Sequence, residues 1–285
     1  MLPDSRPMRL FEFSYFRSHI PGNNRPNFNE YLESLAGLAM PEAWDFPNSP
    51  NFGAHEILKN YILNTFTRLE EENKIYFANG VNAKGIATEF ACFNTGLLHK
   101  DSTEELYFFF EANTHPNAQS KWYCLGVGTI SDKRFRSIVS HFQGKLPPMA
   151  DFIGNDYQNL VMNPNAEITP NYVHFNEHPD RLPHILQQMD ASMRATFIDG
   201  AIRLAKKHLI RNYRYAVPMY YLEQKRLQLL LPLILSLTND IGFALIIDKQ
   251  KDGSYFASTI LSFQQAYLNA RLIAKPSEWL TLGSK

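Results

Sequence analysis

Five short strand-forming segments crowd between residues 74 and 142, and their spacing restricts the possible folds more than any other feature. They cover residues 74–78, 89–94, 105–111, 122–130 and 137–142, with turn-rich pieces such as "NGVNAKG", "HKDST" and "NTHPNAQS" between them. A parallel crossover needs a dozen or more residues, so these intervals favour an antiparallel meander.

The flanks read differently. The first 55 residues are rich in Pro, Asn and aromatics and read as irregular chain with a short helix near residues 31–38. In "ILKNYILNTFTRLEE" the apolar positions 57, 58, 61, 62, 66 and 69 keep helical spacing, which predicts an amphipathic helix over residues 57–71. After a proline-spaced section over 146–183, residues 193–213 and 222–237 read as helices. A strand pair over 243–248 and 254–261, joined through "KQKDG", and a final helix over 263–273 complete the chain. No internal repeat is visible. The expected class is α+β: an N-terminal helix, a mostly antiparallel sheet, then a C-terminal helical lobe with a strand pair. At 285 residues this is one domain over 1–285, with lobes drawn at 1–150 and 151–285.

Composition excludes some classes. Hydrophobic residues at 45% and charged residues at 20% supply a real core and rule out a disordered chain. With 28 basic against 28 acidic residues, no global field draws the protein to nucleic acid or membrane, so any such binding comes from a local patch. No apolar run reaches about 18 uncharged residues, and the N-terminus carries no apolar leader core. The longest candidate, "LQLLLPLILSL", reads as a core helix or a pair of buried half-helices. Cys92 and Cys124 lie in apolar runs without metal-site spacing and read as buried free thiols in a reducing cytoplasm.

Several stretches interrupt these patterns. In "EFACFNTGLLHK" a strand runs into Asn94, Thr95 and Gly96. One reading is a bulge, with Gly96 supplying an unusual backbone angle. The other is a ligand ledge, with glycine admitting a close approach while Asn and Thr offer donors and acceptors. Between Arg194 and Arg226 eight basic residues face two acids. On a helix, Arg203, Lys207 and Arg211 form one stripe, which is a solvated face or an anion site; the tyrosines at 213, 215, 220 and 221 add rings that suit stacked bases. Arg226 and Gln228 flank the apolar run 229–235, so their burial requires partners or a ligand. In the last predicted helix Tyr267 and Arg271 are four apart, Asn269 lies on another side, and Lys275 stands just beyond.

"HFNEH", from His174 to His178, matches the H-x-x-E-H order of an inverted zinc-peptidase motif. That chemistry needs a helix, and Pro170 and Pro179 leave little room for one, so the expectation is no metal. Loop residues, or polar lining from His174, His178 and Arg181, are expected instead. "GVGTIS" lacks the third glycine of a dinucleotide fingerprint, and no phosphate loop or G-x-S-x-G elbow occurs. The sequence names no catalytic residue and no cofactor.

The strings "LKNYILNTFTRL", "ACFNTGL", "NYRYAVPMYY", "RLQLLLPLIL" and "AYLNARLIAKPSEWL" resemble an uncharacterised bacterial family, a domain of unknown function often fused to OST-HTH (LOTUS) or cold-shock modules. The resemblance spans roughly residues 10 to 280. Such modules bind RNA, so it implies a partner that is RNA or a free nucleotide, by association. The expected site is a basic pocket between the sheet and the C-terminal helices, joining Asn94, Thr95 and Gly96 with Arg211, Asn212, Tyr213, Arg214, Arg226, Gln228, Asn269, Arg271 and Lys275. In it arginines neutralise phosphates, asparagines read a base edge or ribose, and tyrosine stacks. The alternative is an enzyme of RNA or nucleotide phosphate chemistry using the same groups.

Overall fold

The structure, a computed structural model, describes residues 9–16, 27–46, 53–116, 118–235 and 242–274. The chain divides into two compact units, Met1–Asp151 and Phe152–Lys285. An α+β class is observed in both.

The first unit runs α1 (Arg9–Phe13), β1 (Ser14–Tyr15), α2 (Phe28–Leu38), α3 (Glu56–Glu71), β2 (Tyr76–Val81), β3 (Ala87–Leu98), β4 (Glu105–Ala112), β5 (Trp122–Gly128) and α4 (Arg136–His141). Strands β2 to β5 form the expected antiparallel meander, and β1 joins its far edge parallel to β5, giving the order β1-β5-β4-β3-β2. Asn27 starts α2 with a capping box: its side chain accepts from the Glu30 N–H while the Glu30 carboxylate accepts from the Asn27 N–H. In α3 the buried apolar residues Ile57, Leu58, Tyr61, Ile62, Phe66 and Leu69 are the six marked by spacing.

Where a strand over 137–142 is expected, the chain forms the helix α4, capped at its end by Phe142. Taken with Phe135, the apolar positions 138, 139 and 142 fall at i+3, i+4 and i+7, a pattern that a six-residue window cuts in half. This helix covers one face of the sheet, where Phe90, Cys92, Tyr107 and Phe109 meet Phe135, Val139 and Phe142. On the other face Phe93 packs against Phe66 of α3 and stacks on Phe108 and Phe110.

The second unit runs β6 (Ile168–Pro170), α5 (Tyr172–Glu177), α6 (His184–Gln187), α7 (Ala191–Arg211), β7 (Val217–Tyr221), β8 (Arg226–Ile234), β9 (Gly242–Lys249), β10 (Tyr255–Leu261) and α8 (Phe263–Ala270). Of the segment 222–237, expected to be helical, residues 236 and 237 lie outside the described residues, 222–225 are a turn and 226–234 are β8. Its sheet is covered on both faces, so the polar alternation that marks a strand is missing. Leu229, Leu231 and Leu233 pack with α7 residues Ile198, Ile202 and Leu209, while Leu230 faces Ala266 and Ala270 of α8. Pro232 lies beyond Leu230, the last residue of β8 to pair with β7, an edge position that tolerates its missing N–H.

The two sheets share one wiring. The second has the order β6-β10-β9-β8-β7, with β6 parallel to β10 and the other pairs antiparallel, strand for strand as in the first. The long helix after the first strand packs on the third strand in each unit, α3 on β3 and α7 on β8. The helix after the last strand packs on the second, α4 on β2 and α8 on β7. The structure thus contains a repeat that the sequence does not display.

Candidate functional site

The Asn94–Gly96 interruption is a bulge. Pairing of β3 with β4 passes from Asn94↔Tyr107 to Leu98↔Glu105, so three residues of β3 stand opposite Leu106 alone. Their polar groups close the bulge from within. Asn94 Oδ1 accepts from the Gly96 N–H at 2.8 Å and its Nδ2 donates to the Pro147 carbonyl; Thr95 Oγ1 donates to the Leu106 carbonyl at 2.8 Å and accepts from the Leu97 N–H. Both side chains are fully buried, so this stretch is not a ledge presenting Asn and Thr to a ligand. Gly96 has φ +73°, and a Cβ there would lie 2.5 Å from the Tyr61 hydroxyl, so both backbone and space demand glycine.

The basic region of the second unit separates into structural and exposed cations. Buried Arg194 donates to the Leu186 and Met189 carbonyls and to Asn176 Oδ1, tying α5 and α6 to α7. Lys206 donates to the Ala166 carbonyl at 2.7 Å. Arg203, Lys207, Arg211, Asn212, Tyr213 and Arg214 are exposed, along the outer face and C-terminal end of α7. Asn212 stops the helix; its Oδ1 accepts from the Arg214 N–H and starts a single 3-10 turn, Tyr213–Tyr215. Arg214 lies over the Tyr213 ring at 5.6 Å and donates to its hydroxyl, while His208 stacks on Tyr215 at 5.0 Å. Among the described residues none of Arg203, Lys207, Arg211 and Arg214 is paired with a carboxylate.

Arg226 and Gln228 find their partner in the fold: Asp248 of β9 accepts from Arg226 at 2.9 Å and from Gln228 at 2.8 Å. Asp248 escaped the sequence reading because it sits in an apolar strand twenty residues away, with nothing in its own surroundings to mark it. Gln228 Oε1 is buried without a partner among the described residues. Asn269 and Arg271 are half-buried on and just after α8, on the sheet face opposite α7. Lys275 lies outside the described residues.

A small cleft in the first unit is lined by Leu38, His99, Gly128, Thr129, Ser131 and Asp132 and holds about 190 Å³, less than the roughly 300 Å³ at which ligand pockets begin. Its one acid, Asp132, and the neighbouring Glu104 are satisfied locally. Arg134 forks onto Asp132 through Nε and Nη2, holding that carboxyl below its ordinary range, and the Ser131 and Thr129 hydroxyls do the same for Glu104. His99 Nδ1 accepts from the Asp101 and Ser102 amides. Burial pushes both Cys92 and Cys124 well above the usual thiol range, which makes them inert.

The first four residues of "HFNEH" are helical after all, and His178 caps the end of that helix. Asn171 accepts from the His174 N–H and caps α5, so Pro170 sits outside the helix and Pro179 opens the following 3-10 turn. The prolines bound this turn of helix rather than prevent it. Ligand atoms of His174, Glu177 and His178 lie within 4.8 Å of one another. The imidazoles meet edge to face at 4.6 Å, and His174 Nε2 lies 3.2 Å from Thr259 Oγ1, which accepts from Arg181. Burial, with the His178 and Arg181 charges behind it, lowers the His174 pKa.

Among the described residues no helix is long and apolar enough to cross a membrane. No curated protein and no solved structure matches the chain. A family model does match, over residues 35–279, a span holding both sheets except β1 and every helix except α1 and the start of α2. The chain therefore belongs to the DUF3825 family, a domain of unknown function.

Proposed function

We propose that this protein binds single-stranded RNA or a free nucleotide at the cationic end of α7. One observation carries the reading: an exposed arginine over an exposed tyrosine, continued along the helix by Arg211, Lys207 and Arg203 without acidic partners among the described residues. Guanidinium and ammonium groups at this spacing neutralise successive phosphates, and the Tyr213 ring offers a face to a base. The resemblance to a bacterial family fused to RNA-binding modules supports the same reading by association, as do two inert thiols a cytoplasmic location.

The test is fluorescence anisotropy of the protein with 5′-labelled single-stranded RNA across salt, followed by a denaturing gel. With about three phosphates neutralised, log affinity falls with log salt at a slope of about −2, and Arg214→Ala or Arg211→Ala each reduces it by about 0.7. Tyr213→Ala costs about 1–3 kcal/mol of binding if a base stacks there. A shortened strand on the gel would turn the reading into an enzyme acting on RNA. Absence of binding to RNA and to mononucleotides at low salt would end it.

A further inference from the structure

We propose that His174, Glu177 and His178 form a binding site for a divalent first-row transition ion, zinc by the chemistry of its donors. Two imidazoles and one carboxylate are the donors such ions select, and three protein ligands leave a coordination position open for water or substrate. The ligand atoms lie within 4.8 Å of one another. Around a tetrahedral ion at about 2.1 Å they would stand roughly 3.4 Å apart, so the site closes by roughly 1 Å on binding. Exposed Glu177 and half-buried His178, at the free end of a helix turn, supply that movement.

A second shell is already in place. Pairing of β10 with β9 shifts register between Ala257 and Thr259, and such a bulge re-aims the side chain beside it. Thr259 Oγ1 takes a bond from Arg181 and lies 3.2 Å from His174 Nε2. With a hydrogen on Nε2 directed at that oxygen, Nδ1 keeps its lone pair for the ion, the orientation device that metal-binding histidines use. Two neutral imidazoles and one carboxylate leave a divalent ion with net positive charge, and Arg181 adds to it, so the open position favours an anionic oxygen.

The experiment uses the full chain without an affinity tag, stripped with a chelator, titrated with Zn²⁺ by calorimetry and with Co²⁺ by absorption. Saturation at one ion per chain is expected, with the intense Co²⁺ bands of a four-coordinate site. Glu177→Gln, exposed and outside the core, and His178→Ala should each weaken binding by about tenfold or more, and Thr259→Val by about tenfold. His184→Ala, exposed in α6 and outside the cluster, should leave it unchanged. No saturable uptake, or uptake that Glu177→Gln and His178→Ala leave intact in folded protein, would overturn the proposal.

Discussion

Helices α3 and α7 hold the same place in the two units, yet their ends are treated in opposite ways. At the end of α3, Arg68 is bound by Glu71 and Glu72 and donates to the Asp151 carbonyl. At the end of α7, Arg211 and Arg214 face solvent, and no carboxylate answers them among the described residues. One topology thus carries a helix terminus neutralised by its own acids and another left cationic. The scaffold is common to both units; the two proposed ligand sites lie where they differ, on the end of α7 and on the α5 turn.

The cores differ as well. Phe93, Phe108 and Phe110 stack through the first sheet, whereas leucine, isoleucine and alanine predominate in the second, beside single aromatics such as Phe175, Phe243 and Tyr255. Phe93→Ala should therefore cost the most, about 4 kcal/mol, because it empties a fully buried aromatic site between helix and sheet. Leu231→Ala, fully buried in the second core, should cost about 3 kcal/mol. Urea denaturation of each variant measures both. Equal and small losses would mean that neither site is packed as described.

Glycine sharpens the comparison at smaller scale. Gly96 and Gly253 both have positive φ, at +73° and +87°, but only Gly96 has an atom in the way of a Cβ. Gly96→Ala should cost about 3 kcal/mol, strain plus displacement of Tyr61, and Gly253→Ala about 1 kcal/mol from strain alone. Thermal unfolding of the pair separates the two contributions; equal shifts would show that the Tyr61 contact carries no energy.

Legibility in the sequence followed the physics of burial. The meander was legible because short turns forbid crossovers, and α3 because only one of its faces is buried. β8 was not: a strand covered on both faces loses its alternation, and the leucines around Pro232 keep no period of two. The shared wiring was invisible for a related reason, since a core rich in aromatics and one rich in aliphatics satisfy one topology with different residues. At the site, local chemistry could be read and distant pairing could not. Asn94, Thr95 and Gly96 stand out within three residues, but only the fold shows that their side chains close a bulge. Asp248, the partner of Arg226 and Gln228, gives no local sign. The helix under "HFNEH" was obscured by reading prolines as breakers, where they stand at its two boundaries.

Acid should act on the first unit through Glu104 and Asp132. Both carboxyls lie below their ordinary range in the fold, Glu104 through the Ser131 and Thr129 hydroxyls and Asp132 through Arg134. The unfolded chain then takes up protons first, so their stabilisation is present above about pH 4 and lost as pH falls through the folded values. Glu104→Gln with Asp132→Asn should flatten that part of the stability profile. In the second unit Asp252 is lowered by Ser254 but stands wholly in solvent, so Asp252→Asn should change the profile least. A pH profile that the double variant leaves unchanged would remove these turns from the account.

The smallest expected change in stability carries the most information about function. Arg214→Ala touches an exposed side chain whose described partners are the Tyr213 ring and hydroxyl, so stability should move by no more than about 0.5 kcal/mol. Arg68→Ala removes two ion pairs and a bond to the Asp151 carbonyl at a mostly buried site and should cost about 1 kcal/mol. Binding should invert that order: RNA affinity and its salt slope fall for Arg214→Ala and hold for Arg68→Ala. A common topology cannot produce this inversion, because both residues close the same helix of the same unit design. It follows only if the missing acids at the end of α7 leave its charge free for a phosphate, and equal binding by the two variants would return the end of α7 to an ordinary solvated surface.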